Sequence, residues 1–408
     1  MALGRPQQPA LFSESALDPS GDSASAPLVA RVLLEDNALE LDYSIPDSLA
    51  QRVQLGSRVH VPLQRRRATG TVVQLLPDST FHGKLKPVAD AIGTRPVFPE
   101  NLLRLAQWAS GYYLCPLRVV LRAMLPESVR RKPESFLSDS HLTLARMPDS
   151  KELEKLHKTA PIQARIIEML HAHQGPAALS ELRRELPRAT QVIQILVKKG
   201  IVHRAEVRME RDPFQDEAFV ASTPHALTEE QNAALNQVLA AIDQPAQGRP
   251  MLLHGVTGSG KTEIYLQAIT KVLELGKTAL VLVPEISLTP QTIERFKARF
   301  ADRAKSHQAS SAADGTIAVL HSHLSDGERH DEWYKIHEGR AGIVIGARSA
   351  IFAPLENVGI IIVDEEHEPS YKQEETPRYQ ARDLAVVRAK LEHCACLLGS
   401  ATPCLESF

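Results

Sequence analysis

The stretch Gly255-Val256-Thr257-Gly258-Ser259-Gly260-Lys261-Thr262 constrains this chain more than any other. It fits G-x-x-x-x-G-K-[ST] at every fixed position, a pattern that works between a buried strand and the first turn of a helix. The glycines let the backbone curl with its N–H groups turned inward, and the helix that follows adds the positive end of its dipole. Such a loop is built to hold phosphate. An apolar run, 251–253, precedes it, and a helical pattern over 263–275 follows.

The rest of the chain from about residue 223 agrees. Uniformly apolar runs recur at 279–283, 317–320, 343–345, 360–363 and 396–398, with helical patterns such as 290–300 between them. Apolar strands alternating with helices predict an α/β lobe whose parallel sheet is covered on both faces. The run 359–363 ends in Asp364-Glu365-Glu366-His367. Carboxylates at the tip of such a strand lie beside the phosphate loop in this architecture. Lys261 would then reach the β- and γ-phosphates of a nucleotide. Thr262 and Asp364 would hold Mg²⁺, and Glu365 would orient and deprotonate a water. The run 396–398 leads into Gly399-Ser400-Ala401-Thr402-Pro403, whose hydroxyls are placed to report on the γ-phosphate.

Upstream the texture differs. Short alternating segments between residues 30 and 76, broken by Gly and Asp, predict a small antiparallel β module. A helix is expected over 101–125, then a polar linker over about 126–151. Helical patterns at 161–171, 179–186 and 191–199, followed by an alternating segment at 201–209, predict an α+β winged helix. Its third helix has few basic groups before Lys198 and Lys199, so contact with protein and contact with DNA are both open. Residues 1–27, rich in Ser, Pro, Ala and Gly, read as a disordered tail. The expected domains are that tail, a β module over 28–132, linker and winged helix over 133–222, and the α/β lobe over 223–408.

The net charge of −2 averages over these regions. Between residues 28 and 132 there are 15 Lys and Arg against 9 Asp and Glu, with Arg65-Arg66-Arg67 and Arg130-Arg131-Lys132 the densest groups. Such patches can neutralise phosphates or simply be solvated loops. The four cysteines, Cys115, Cys394, Cys396 and Cys404, form no C-x-x-C pair, which argues against a disulfide framework or zinc cage and for a reduced, cytoplasmic protein. No apolar run approaches the ~20 residues that span a bilayer. Trp108 and Trp333 read as packing residues, and His321 with His323 as surface polarity. Tyr371 and Tyr379, with Lys372 and Arg382, read as a loop able to stack on single-stranded DNA.

The ordered signatures GVTGSGKTE, LVPEISLTPQ, DEEH and GSATP resemble the first motor lobe of superfamily 2 helicases. The longer stretches LHSHLSDGERHDEW, IGARSAIFAPL and DEEHEPSYKQEETPRYQARDLA resemble, within it, the PriA (primosomal protein N′) family of replication-restart DNA helicases. The segment LDYSIPDSL…GSRVHVPLQRRRATGTVV resembles that family's N-terminal module, which binds the 3′ end of a nascent strand.

The resemblance implies an ATP- and Mg²⁺-dependent 3′–5′ helicase of the primosome, cytoplasmic and nucleoid-associated. Its implied partners are forked and single-stranded DNA, other primosome proteins and single-strand-binding protein. It implies adenine reading by Gln231, and nucleotide binding by Gly255, Thr257, Gly258, Ser259, Gly260, Lys261, Thr262 and Thr402. The implied catalytic set is Lys261, Asp364 and Glu365, with Glu366 and His367 completing the acidic motif. Pro284, Glu285, Gly346, Arg348 and Ser349 match motifs along the single-strand path, joined by Tyr371 and Lys372. Asp42, Tyr43, Gly56 and Lys86 match the 3′-end pocket. There the family's aromatic–Asp–Tyr triplet has Leu41 in its first place, implying weaker stacking on the terminal base. The family continues with zinc-binding cysteine pairs and a second lobe, neither found before Phe408. The expectation is a fragment holding half a motor. A non-catalytic scaffold for fork DNA and ATP is the rival from another class, and an RNA helicase or chromatin-type translocase a third.

Overall fold

The computed structural model describes residues 29–37, 39–131, 133, 136–173, 175–186, 189–209, 211, 222–244, 249–305 and 316–408. The expected disordered tail lies outside them. The chain divides into two compact units, one ending at Phe98 and the other beginning at Pro99.

The first unit is an antiparallel sheet of β1 (Val29–Leu34), β2 (Glu40–Ser44), β3 (Arg58–Leu63), β4 (Arg66–Leu76) and β5 (Asp90–Ile92), in the order β2-β1-β4-β3-β5. Strand alternation turns Ala30, Val32, Leu34, Val59, Val61 and Val72 into one core, which Tyr43 and Val53 complete. Gly56 turns with φ +80°, and a Cβ there would meet the Phe98 carbonyl oxygen at 1.8 Å. Only glycine fits.

The second unit opens with α1 (Glu100–Tyr112), α2 (Leu117–Met124) and α3 (Glu127–Arg131). The expected single helix over 101–125 is broken because Leu114 takes φ +50° and Pro116 lacks an N–H to continue the ladder. The expected module boundary at Lys132 and the structural division at Phe98 therefore differ. Asn101 donates to Glu392, and the Tyr113 hydroxyl accepts from the Gln380 backbone, so α1 packs on a helix of the C-terminal lobe.

The expected linker contains β6 (Leu137–Leu144) as well as α3. Then come α4 (Ser150–Thr159), α5 (Pro161–Ala172), β7 (Ala177–Ala178), α6 (Leu179–Glu185), α7 (Ala189–Lys198) and β8 (Val202–Met209). The strands pair antiparallel as β7-β6-β8, and three helices close over Leu142, Ile166, Ile167, Leu182, Ile193 and Leu196. This is the α+β arrangement expected, with the third strand supplied from before the helices. The outward face of α7 shows Gln191, Gln194, Ile195 and Val197.

The C-terminal lobe runs α8 (Glu229–Asp243), β9 (Met251–His254), α9 (Lys261–Glu274), β10 (Thr278–Leu282), α10 (Pro290–Lys305), β11 (Ile317–Leu320), α11 (Asp326–His337), β12 (Ile343–Gly346), β13 (Val358–Val363), α12 (Ala381–Glu392) and β14 (Ala395–Ser400). Its sheet is wholly parallel, in the order β11-β12-β10-β13-β14-β9. Every residue of β10, β12, β13 and β14 is buried, as strands covered on both faces require. This order sets the phosphate loop after β9 two strands from the acidic turn after β13. Among the described residues no helix is long and apolar enough to cross a membrane.

Candidate functional site: a phosphate loop facing an acidic turn

After β9 the chain turns at Gly258 (φ +80°) and Gly260 (φ +85°), and Gly260 caps α9. A Cβ on Gly260 would lie 2.4 Å from the Gln231 side-chain nitrogen, and one on Gly255 would lie 2.6 Å from Ser259 Oγ. Glycine at these positions therefore lets other groups close on the loop. Lys261 is almost wholly buried. Its Nζ donates to the Gly255 carbonyl at 2.8 Å and lies 3.6 Å from Glu365 Oε1. The start of α9 and this ammonium meet at the loop, the kind of donor set a triphosphate needs.

Gln231 has a double task. It forms a capping box with Thr228 at the start of α8, and its Nε2 donates to the Ser259 carbonyl at 2.8 Å. The next residue after Thr262 in the loop-to-helix motif, Glu263, anchors the site from behind. Its carboxylate takes two hydrogen bonds from Arg299, at 2.9 and 2.7 Å, with further ones from Gln267 and the His225 backbone. Against the cost of burial, these donors hold its carboxyl below its ordinary range.

At the tip of β13, burial pushes the Asp364 carboxyl above the usual carboxylate range, opposed by a 2.9 Å hydrogen bond from the Tyr265 hydroxyl and aided by neighbouring Glu365. Tyr265 lies four residues after Lys261, so one helix supplies both contacts. Gly399 of β14 makes room for it: a Cβ there would sit 1.7 Å from the Tyr265 hydroxyl oxygen. Glu365 takes φ +42°, uncommon for a side-chain-bearing residue and typical of sites where geometry is held for a purpose. Glu366 turns inward and is fully buried. Despite burial, hydrogen bonds from Cys404, Ser407 and Arg382 keep its carboxyl low. His367 Nδ1 meets Ser400 Oγ at 2.7 Å, and Ser400 Oγ accepts from the Thr402 backbone at 3.2 Å. The acidic turn is thus hydrogen-bonded to the Gly399–Pro403 turn. Thr402 itself is exposed.

The expected stacking loop is corrected. Tyr371 has no exposed surface, and its hydroxyl donates to the Asp364 carbonyl at 2.7 Å. Tyr379 is buried edge-on against Phe352, Arg382 is tied to Glu366 and Asp383, and Lys372 Nζ donates to the Arg378 carbonyl. Tyr371 braces the turn from beneath, Tyr379 packs on Phe352, and neither buried ring presents a face to a base. Trp333 is buried, and Trp108 stacks on Tyr112 at 4.6 Å.

Glu285, Arg348 and Ser349 line one cleft of about 690 Å³, together with Arg118, Arg122, Arg130 and Arg329. Pro284 is buried beside it, and Gly346 ends β12, where a Cβ would strike the Leu320 carbonyl. The arginines from α2 and α3 carry no motif and were not singled out as a wall of this cleft.

In the first unit, Asp42, Tyr43 and Lys86 line a cleft of about 580 Å³ with Arg31, Leu41, Phe81 and Lys84. Arg31 clasps Asp42 at 2.9 and 3.2 Å and, with Ser79, holds its carboxyl below the ordinary range against partial burial. Tyr43 and Gly56 stand differently from these. Tyr43 contributes from beneath, its ring being buried in the core and its hydroxyl near the Pro62 carbonyl. Gly56 does not line the cleft and serves the backbone approach to Phe98.

A parallel sheet carrying this loop, this acidic turn and this hydroxyl turn defines a nucleotide-binding motor lobe, and residues 228–407 match the model of the DEAD/DEAH box helicase family. Residues 32–126 match a second model, described as the 3′ DNA-binding domain of PriA. The replication restart protein PriA of Bacillus subtilis is 39% identical, aligned over 90% of this chain and 52% of its own length. That of Chlamydia pneumoniae is 36% identical, over 95% of this chain and 50% of its own. That of Haemophilus influenzae is 35% identical, over 90% of this chain and 48% of its own. Over most of its length the chain is similar to replication restart proteins PriA, and it spans about half the length of the curated relatives it matches. Among solved structures, the DUF1998 helicase MrfA bound to DNA and AMPPNP is similar at 16% identity and a TM-score of 0.29, covering 46% of this chain and 28% of that one.

Proposed function

We propose that this chain serves an ATP-dependent 3′–5′ DNA helicase or translocase that recognises abandoned replication forks and initiates replication restart. The observation that carries the reading is the meeting of Lys261 with the Gly255 carbonyl and with Glu365, beside Asp364 at the tip of β13. In this reading Gly255, Thr257, Gly258, Ser259, Gly260 and Lys261 grip the triphosphate, and the Thr262 hydroxyl with Asp364 holds Mg²⁺. The bound metal would neutralise phosphate charge. Glu365, held near both Lys261 and His367, orients and deprotonates the attacking water. Thr402 relays the nucleotide state towards DNA, which lies along Pro284, Glu285, Gly346, Arg348 and Ser349, while Asp42 and Lys86 hold a 3′ strand end. Partners in this reading are forked DNA, primosome proteins and single-strand-binding protein, in the cytoplasm.

Steady-state hydrolysis with forked DNA tests it. DNA should stimulate turnover, and Lys261→Ala should lower it by at least about 100-fold, as removal of a charge-stabilising donor does elsewhere. A wild-type chain that takes up neither magnesium-nucleotide nor fork DNA in calorimetry rules the reading out. Uptake of both without turnover would instead identify a binding scaffold.

A further inference from the structure

The expected weakening at the strand-end cleft rests on Leu41 standing where an aromatic is the rule. The structure supplies a ring from elsewhere. Phe81, on the loop after β4, is 62% exposed and lines the same cleft as Leu41, Asp42, Lys84 and Lys86. It is the one exposed aromatic ring among the described residues of this unit; Tyr43 and Phe98 are buried. A bare phenyl ring in water has no folding reason to be there, since burial would stabilise it.

The ring is nevertheless positioned. A Cβ on Gly83 would lie 2.5 and 2.7 Å from Phe81 Cε1 and Cζ, so the loop doubles back close against the ring. The Phe81 backbone N–H donates to Ser79 Oγ at 3.1 Å, and that hydroxyl donates to Asp42 Oδ2 at 2.6 Å. Arg31 fixes Asp42 in turn. The far end of the loop is pinned by the Ser44 N–H donating to the Lys86 carbonyl at 3.1 Å. A hydrogen-bonded chain thus ties the ring's base to β2. The cleft is of a size that takes a small ligand. A flat apolar face shares its lining with the exposed Lys84 and Lys86, which outnumber Glu40 once Arg31 has taken Asp42, and this matches a base beside its phosphates.

We infer that Phe81 is the stacking platform for the terminal base of a DNA strand in this cleft, doing from the loop what Leu41 does not do from β2. The inference rests on reading the first unit as a binder of 3′ strand ends. The test uses the full chain and fluorescence anisotropy at fixed salt on forks whose recessed 3′ strand ends in adenine, in an abasic residue, or is replaced by a recessed 5′ end. Wild type should bind the adenine-ended fork about 10-fold more tightly than the abasic one, the scale of one base–aromatic stack. Phe81→Ala should bind both equally at the weaker level, and Phe81→Trp should keep the preference. Phe81→Ala with the full preference intact overturns the assignment while leaving the end-binding reading standing. Wild type that does not distinguish a 3′ end from a 5′ end overturns both.

Discussion

On the proposed reading the phosphate site and the strand-end cleft solve the same problem, holding a phosphate-bearing ligand, with opposite means. The first is set by backbone elements, one glycine loop, one helix start and one strand tip, on a sheet whose central strands are buried throughout. The second is made of side chains drawn from β1, β2 and a loop some forty residues later, linked through Arg31, Asp42 and Ser79. A site of the first kind writes a contiguous motif into the sequence. A site of the second kind can exchange a residue at one position for another elsewhere and leave no pattern.

The sharpest break between the two is Lys261→Ala. It should reduce nucleotide hydrolysis by about 100-fold or more while leaving affinity for a 3′-ended strand without nucleotide within about twofold. Loss of both together, with folding intact by circular dichroism, would contradict the separation drawn here.

Next in size is the fit of Gly399 against Tyr265. Gly399→Ala should lower stability by roughly 1–3 kcal/mol, read in denaturant titration, because its methyl meets a buried hydroxyl. Tyr265→Phe removes that oxygen and leaves Asp364 without its donor, costing roughly 1–3 kcal/mol alone. Combined, the two should cost clearly less than their sum, since Tyr265→Phe removes the atom that the new methyl meets most closely. Strict additivity would show that the close approach carries no energy.

Smaller again is the Arg31–Asp42 clasp, partly exposed and so worth only about 1 kcal/mol after solvent screening. Because the folded carboxyl is held low, its contribution is complete above the ordinary carboxylate value of about 4 and is lost as pH falls through the lowered one. The stability gap between wild type and Asp42→Asn should therefore be flat near neutrality and close under acid. A gap that widens on acidification would reverse the assigned sign. The smallest effect expected is from Leu41→Phe. With Phe81 already present, restoring the missing aromatic should raise strand-end affinity by no more than about threefold; a tenfold gain would mean the cleft lacks a platform.

What could be read from the sequence follows this division. The parallel sheet and the acidic turn were legible because buried strands are apolar end to end and the loop needs glycine where the chain curls back on itself. Strand β6 was missed because its residues, Leu137-Ser138-Asp139-Ser140-His141-Leu142, are mostly polar, and its pairing partner β8 lies some sixty positions away. Tyr371 and Tyr379 were misread because a tyrosine next to Lys and Arg looks the same whether its hydroxyl faces water or a carbonyl. Phe81 left no signal at all, since its significance comes from a cleft no local pattern encodes.

Gln231 ties two parts of the lobe together through one amide. Its oxygen closes the first turn of α8 and its nitrogen closes on the phosphate loop. An adenine that engages the second N–H and second lone pair of this amide would be joined at once to the start of a helix and to the phosphate loop. A nucleotide whose edge offers another donor and acceptor pattern would meet an amide that these two ties already hold in place.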